Sequence, residues 1–360
     1  MTRKQTRREF LMGRLAGLSP YGGAVPGELA RSEAYWPACL VHVSRRAMAC
    51  QFQVFLNAGQ YPHGVQAAVE ALDLLEVLEQ QMSFFRPDSL LQRINQEAAL
   101  GPVEVEPGLF GLLQLADQIY QLTEGAFDLT ATAFWEVWGF AQRQPRLPTE
   151  AELAEARQRV GWHYVHLNPA DRTIRFTRPG IRLNLGSIGK GYALDCCAER
   201  LLQAGIVDFI IHGGQSSLLA HGKRLDSPSL GWPVGLRHPI RPNCRLGQLV
   251  LKDQALATSG SAVQFFYSGG RRYGHIIDPR TGQPGGEGIL SVTVLAPSAA
   301  EADALATAMF LLGPEKSMQI CQRRPDLAAL FVLRSPKSAQ MQIIPIGIAP
   351  PFWQPSTQIT

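Results

Sequence analysis

The sequence contains no CxxC pair and no HExxH, so nothing in it has the ligand spacing of a zinc site. It has no block of five or more basic residues. The formal net charge of +4 comes from scattered arginines such as Arg45-Arg46, Arg271-Arg272 and Arg323-Arg324, which describe a solvated surface and imply no nucleic acid partner. No apolar run approaches the roughly 20 residues of a membrane helix, so no transmembrane segment is expected. There is no GxSxG elbow and no Ser/His/Asp order suited to acyl transfer. Internal repeats are absent as well. Cysteine is sparse, at six. Cys196 and Cys197 read as small packing residues on a helix. His163 and His166 are three apart in an expected strand, so they face opposite sides and do not chelate together.

What remains is an ordinary globular composition, 46% hydrophobic and 18% charged over 360 residues. That length suits one large or two ordinary domains with a sizeable core. Residues 1–40 read as a leader. "TRREFLMGRLAGLSPYGG" resembles a twin-arginine export signal through Arg7-Arg8, yet Arg14 and Pro20 interrupt the apolar segment that should follow. Both a periplasmic or cell-envelope location and a cytoplasmic one stay open. Residues 41–350 form the expected domain, and 351–360 a tail. A strand is predicted over 47–58, and helices over 64–83, 90–98 and 107–125, the last closed by Gly125. Residues 141–150 read as a linker, and Thr149 with Glu152 has capping-box spacing. Residues 161–186 read as two strands around an Asn-Pro turn with a third strand after it. A helix over 192–205, a buried strand at 207–214 and short strands through 231–295 follow. Helices and strands mix without βαβ alternation, which predicts an α+β fold of antiparallel-rich sheets packed by helices, in two closely associated lobes.

Three segments can carry chemistry. "AEADALATAMFLLG" (300–313) is helical and apolar nearly all round, with Ser298 and Glu301 at capping-box spacing. Asp303 and Thr307 share one face of that helix. Two readings stand: Asp303 pairs with an arginine while Thr307 bonds a backbone carbonyl, or the two oxygens serve a hard cation such as magnesium. "LNLGSIGKGYALD" (183–195) places Gly186, Gly189 and Gly191 between a strand and a helix, with Lys190 beside them. That arrangement suits a phosphate, although it is neither a Walker A loop nor GxGxxG. "YGHIIDPRTGQPGG" (273–286) is either a hairpin with a surface His275 or a place where His275 meets a phosphate or an attacking hydroxyl.

These three segments, in this order, resemble the ApbE family of flavin transferases, which move FMN from FAD onto a protein Thr or Ser. The resemblance extends to "AMACQF", to Ser89, Leu91, Arg93 and Asn95, to "GAFDLTATAFWEVWGF" and to "ALATSGS". It implies that FAD contacts Met48, Phe85, Ala126, Phe127, Asp128, Asn184 and Lys190, with His275 near the reacting phosphates. It implies Mg2+ held by the backbone carbonyl of Ser187 with Asp303 and Thr307. The partner it implies is an acceptor protein bearing a Thr or Ser, since no self-flavinylation motif appears. The sequence departs from the family pattern at five places. Asn184 stands where Asp is usual, Gln215 where Asp or Asn follows Gly-Gly, Phe85 where an aromatic hydroxyl is usual, Gly189 where Ala is usual, and Ala49-Cys50 where Gly-Thr is usual. An alternative activity is FAD binding, or FAD hydrolysis to FMN and AMP, without protein flavinylation.

Overall fold

The computed structural model describes residues 40–241, 243–260, 264–335, 341–349 and 352–356. Of the expected leader, residues 1–39 lie outside the described residues, and Leu40 opens a strand. In chain order the elements are β1 (Leu40–Ala47), β2 (Cys50–Asn57), α1 (Gly64–Met82), α2 (Leu90–Glu97), β3 (Val103–Glu104), α3 (Pro107–Leu122), α4 (Thr132–Val137), α5 (Glu150–Arg157), β4 (Val165–Asn168), β5 (Thr173–Phe176), α6 (Gly189–Gln203) and β6 (Phe209–Gly213). Then come β7 (Ser217–His221), β8 (Trp232–Arg237), β9 (Arg245–Leu251), β10 (Gln254–Gly260), β11 (Phe265–Ser268), β12 (Arg271–Gly274), β13 (Ile289–Ala296), α7 (Ala299–Arg323), β14 (Ala328–Arg334), β15 (Met341–Ile346) and β16 (Trp353–Pro355).

An eight-stranded antiparallel sheet, ordered β1-β2-β6-β7-β10-β13-β14-β15, organises the molecule. Its strands read as alternating patterns: in β2, Phe52, Val54 and Leu56 are buried on one face. Those residues belong to the main core, which gathers Leu72 and Leu75 from α1, Leu194 and Leu201 from α6, and Leu305 and Met309 from α7. The other face packs against a three-stranded sheet, β16-β9-β8, through Trp232, Leu249, Leu256 and Leu330. A small third cluster joins Phe134, Trp138 and Phe140 to Ile277 and the hairpin aromatics Phe266 and Tyr273. The fold is thus α+β with antiparallel sheets covered by helices, as expected.

Several local expectations change. The strand expected over 47–58 is β2 (Cys50–Asn57), and a strand that was not expected, β1, precedes it: Met48 and Ala49 form a two-residue turn with Ala47 opposite Cys50. Both turn residues have positive φ, 49° and 58°, as a primed hairpin turn requires; without glycine, periodicity gave no sign of it. The third strand expected near 181–185 is absent. Asn95 holds that segment instead, its Oδ1 accepting from Leu183 N (2.7 Å) and its Nδ2 donating to Leu183 O (3.0 Å). His163 lies in a 3-10 turn, not a strand. Helix α6 starts at Gly189, which places Lys190 and Gly191 in its first turn. Helix α7 continues past Gly313, whose φ of 78° and ψ of 175° kink it before Pro314. Ser298 caps α7 from Oγ to Glu301 N, but the Glu301 side chain pairs with Arg324 at 3.0 Å, so the reciprocal half of the capping box is missing. Thr149 and Glu152 do form a complete box.

Helices α6 and α7 meet at Gly191. A Cβ there would lie 2.0 Å from the Ala299 carbonyl oxygen and 2.3 Å from its carbon. Backbone cannot rotate away as a side chain can. Gly191→Ala is expected to cost about 3 kcal/mol or more, seen as a large drop in melting temperature with loss of the site below. An unchanged melting temperature would show that this helix crossing is loose.

Candidate active site

The α6–α7 crossing fixes Asp303. The residue is 7% exposed, so its charge needs partners. Oδ2 accepts from Gly191 N at 2.8 Å and lies 3.5 Å from Lys190 Nζ. Oδ1 accepts from the hydroxyl of buried Ser217 on β7. The paired cation is a lysine, not the arginine expected on the structural alternative. One turn on, Thr307 Oγ1 donates to the Asp303 carbonyl at 3.3 Å and lies 3.5 Å from Ser259 Oγ on β10. The Thr307 bond to a backbone carbonyl is the one expected if this face were only structural.

The turn leading into α6 carries a further acceptor, the carbonyl of Ser187. A regular helix extended backwards would bond Gly191 N to the carbonyl of Ser187. Gly191 N goes to Asp303 instead, and among the described residues no donor reaches the Ser187 carbonyl. A carboxylate, a hydroxyl and an unpaired carbonyl make an oxygen-only donor set. That chemistry fits a hard cation which keeps waters or phosphate oxygens as its other ligands. Among the described residues no three His, Cys, Asp or Glu side chains cluster, so softer ligand sets have no counterpart here.

Asp195, one turn further along α6, supports the same crossing. Its two oxygens accept from Ala299 N (2.7 Å) and Ala300 N (2.9 Å), so it caps α7 from another helix. Burial pushes its carboxyl up to about 6, against the pull of those amides and with added repulsion from Asp303 and Glu301. Sequence spacing gave no sign of Asp195 or Ser217 in the site, because both act through residues more than 80 positions away.

The remaining expected contacts divide. The segment leading into α6 carries Asn184, whose Oδ1 accepts from Gly186 N at 2.8 Å and whose N–H donates to Leu129 O at 3.0 Å. This brings residues 126–129 beside the turn at 184–188. Ala126 and Phe127 are buried in the core. Asp128 is spent on structure: Oδ1 accepts from Thr130 N and Oγ1, and Oδ2 from Trp162 N. Burial raises its carboxyl above the usual range despite these bonds. Phe85 is 71% exposed. Its loop is tied down by Ser83 Oγ, which accepts from Phe85 N and Arg86 N, and by Gln92, which donates to Phe84 O. Met48 sits in the β1–β2 turn, its N–H donating to Glu79 at 3.1 Å. Cys50 follows that turn; burial raises its thiol, while the charge of Lys190 opposes the rise.

His275 directly follows β12. It is not hydrogen-bonded to Asp303, Thr307 or Lys190. Its Nδ1 lies 3.1 Å from Gln264 O, which fixes Nδ1 as the donor and leaves the Nε2 lone pair available. Burial holds the imidazole below its ordinary 6.5. The loop after it packs on α7 one turn beyond Thr307, where Gly286 lies against Phe310 and Gly285 against Leu311. Trp138 Nε1 donates to Gly282 O at 2.9 Å and joins the 134–140 segment to this loop.

This antiparallel α+β protein places a buried carboxylate beside a lysine-bearing helix N-terminus, groups that phosphate chemistry uses. A family model described as ApbE family matches residues 48–331. The chain belongs to the ApbE family. It is 34% identical over 281 residues to the FAD:protein FMN transferase of Treponema pallidum, covering 74% of this chain and 77% of that one. With the FAD:protein FMN transferase of Vibrio cholerae it shares 32% identity, over 83% of this chain and 89% of that protein. The solved flavin transferase ApbE from Vibrio cholerae superposes with a TM-score of 0.75 at 28% identity, covering 86% of this chain and 98% of that one. The ApbE protein of Thermotoga maritima gives 0.75 at 26% identity, over 86% and 97%.

Proposed function

We propose that this chain transfers FMN from FAD to a Thr or Ser hydroxyl of an acceptor protein, with Mg2+ held by Asp303, Thr307 and the Ser187 carbonyl. The observation that carries the reading is Asp303: a buried carboxylate fixed by Ser217 and Gly191 and one helical turn from Thr307. The names of the relatives supply the substrate pair. When bound, the cation neutralises charge on the diphosphate and on the departing AMP.

The protein's own part is positioning. Lys190 and the N-terminus of α6 offer positive potential to the phosphates. The exposed ring of Phe85 and the segment 126–129 beside Asn184 flank the flavin end. The acceptor hydroxyl oxygen forms a bond to the FMN phosphorus as the bond from that phosphorus to the AMP oxygen breaks. The hydroxyl proton passes to Nε2 of His275, which its Gln264 bond keeps free to accept it.

AMP release from FAD, followed by chromatography with and without an acceptor domain, separates transfer from hydrolysis. Release that requires the acceptor and yields no free FMN is expected. Equal release of AMP and free FMN in both samples would assign FAD hydrolysis instead.

A further inference from the structure

Arg237 ends β8, at the irregularity that shifts the β8–β9 register after Leu236. Its Nη2 donates to Gln215 Oε1 at 2.8 Å. Gln215 has a φ of 65° in the turn between β6 and β7. Two residues later, at the start of β7, Ser217 holds Asp303. The preceding Gly214 lies against Cys50, where an added Cβ would be 3.1 Å from the cysteine Cβ. Cys50 in turn feels the charges of Lys190, Asp303 and Glu79. The second sheet thus ties a guanidinium to the residue two positions before the serine that fixes Asp303.

That guanidinium carries an uncompensated charge. Among the described residues, no carboxylate pairs with Arg237. Its register partner across the ladder is Arg245, which also forms no ion pair. Like charges directly opposite in a sheet are unfavourable, so the pair invites an anion. The neighbour that could neutralise Arg237 is Gln215, a neutral amide. It engages one N–H and leaves the rest of a fork whose geometry matches phosphate oxygens. Asn184, six residues before Lys190, is neutral as well.

We propose that Arg237 is a phosphate-binding residue of this site, and that with it the chain binds its dinucleotide without waiting for the metal cation. This rests on FAD being the substrate. Lys190 and Arg237 together supply the positive charge that the diphosphate requires, and the cation is then needed for the transfer step rather than for capture.

The test is titration of FAD by flavin fluorescence against the full chain, in EDTA and in Mg2+, for the parent, Arg237→Gln and Gln215→Glu. Riboflavin, which has no phosphate, is the control ligand. The parent is expected to bind FAD in EDTA within about fivefold of its affinity in Mg2+. Arg237→Gln should weaken FAD in EDTA by about tenfold, the scale of one charge-assisted hydrogen bond, and leave riboflavin unchanged. Gln215→Glu keeps the arginine but occupies it in an ion pair, so it should weaken FAD in EDTA similarly. Parent-like FAD binding by both variants, or a parent that binds FAD only with Mg2+, would overturn the inference while leaving the transferase reading standing. Failure to bind FAD under every condition would overturn that reading and this one with it.

Discussion

Asp303→Asn is expected to lower magnesium-dependent FAD turnover by about a hundredfold or more while leaving the fold intact. The direction follows from the surroundings of the carboxylate. Asn keeps one oxygen for Gly191 N and presents an amide N–H toward the Ser217 hydroxyl, so both buried neighbours stay paired. What it loses is the charge, which a hard cation and the Lys190 ammonium both use. Removal of a charged ligand that stabilises developing phosphate charge is worth several kcal/mol at the transition state, hence the hundredfold. Asp303→Ala should look different. It leaves the Gly191 N–H buried without an acceptor, at a cost of about 1–3 kcal/mol in stability. Thr307→Val removes a neutral ligand from the same face and should give a milder loss, recovered in part at high magnesium. Turnover against magnesium concentration, together with melting temperatures, separates these outcomes. Full magnesium-dependent turnover in Asp303→Asn would falsify the cation assignment and make this carboxylate purely structural.

His275→Asn is expected to lower kcat/KM by about 10²–10⁴, the range for a positioned general base. The pH profile carries the sharper signature. The base must be neutral to accept a proton. Burial disfavours the imidazolium and holds His275 below its ordinary 6.5, so the parent should stay active as pH falls through 6.5 and lose activity only beneath it. The Asn variant should lack that acid limb. A parent profile with its acid limb above 6.5, or an unchanged limb in the variant, would remove His275 from proton transfer. The same burial sets the sign for stability. The unfolded chain binds a proton at 6.5 that the folded chain resists, so this histidine lowers stability as pH drops below that value.

What the sequence made legible depended on how local each cause is. The capping box at Thr149 and Glu152 is written in four adjacent residues, and it forms as read. Helix α1 follows from Ala68, Leu72 and Leu75 recurring at helical spacing, and Asp303 and Thr307 share a face because 3.6 residues make a turn. Features with distant causes were not legible. The β1–β2 turn needs positive φ at Met48 and Ala49, residues that carry no turn signal. The segment at 181–185 has the composition of a strand, yet Asn95 from α2 takes the Leu183 backbone groups a ladder would have used. Within the site, the pair of helix oxygens stood out, while Ser217, Asp195 and Arg237 did not. Each acts by touching a residue from another element, and no periodicity records such a contact. The resemblance named Asp128; its bonds to Thr130 and Trp162 were equally invisible in the sequence.

The central claim is covalent: FMN leaves FAD and arrives on a protein hydroxyl. The most direct measurement is the intact mass of a purified acceptor domain after incubation with this chain and FAD, in Mg2+ and in EDTA. The expected result is one FMN phosphoester per acceptor in Mg2+, absent in EDTA and absent when the acceptor Thr or Ser is replaced by Val or Ala. An acceptor of unchanged mass in Mg2+, with FAD bound and the chain folded, would contradict the account.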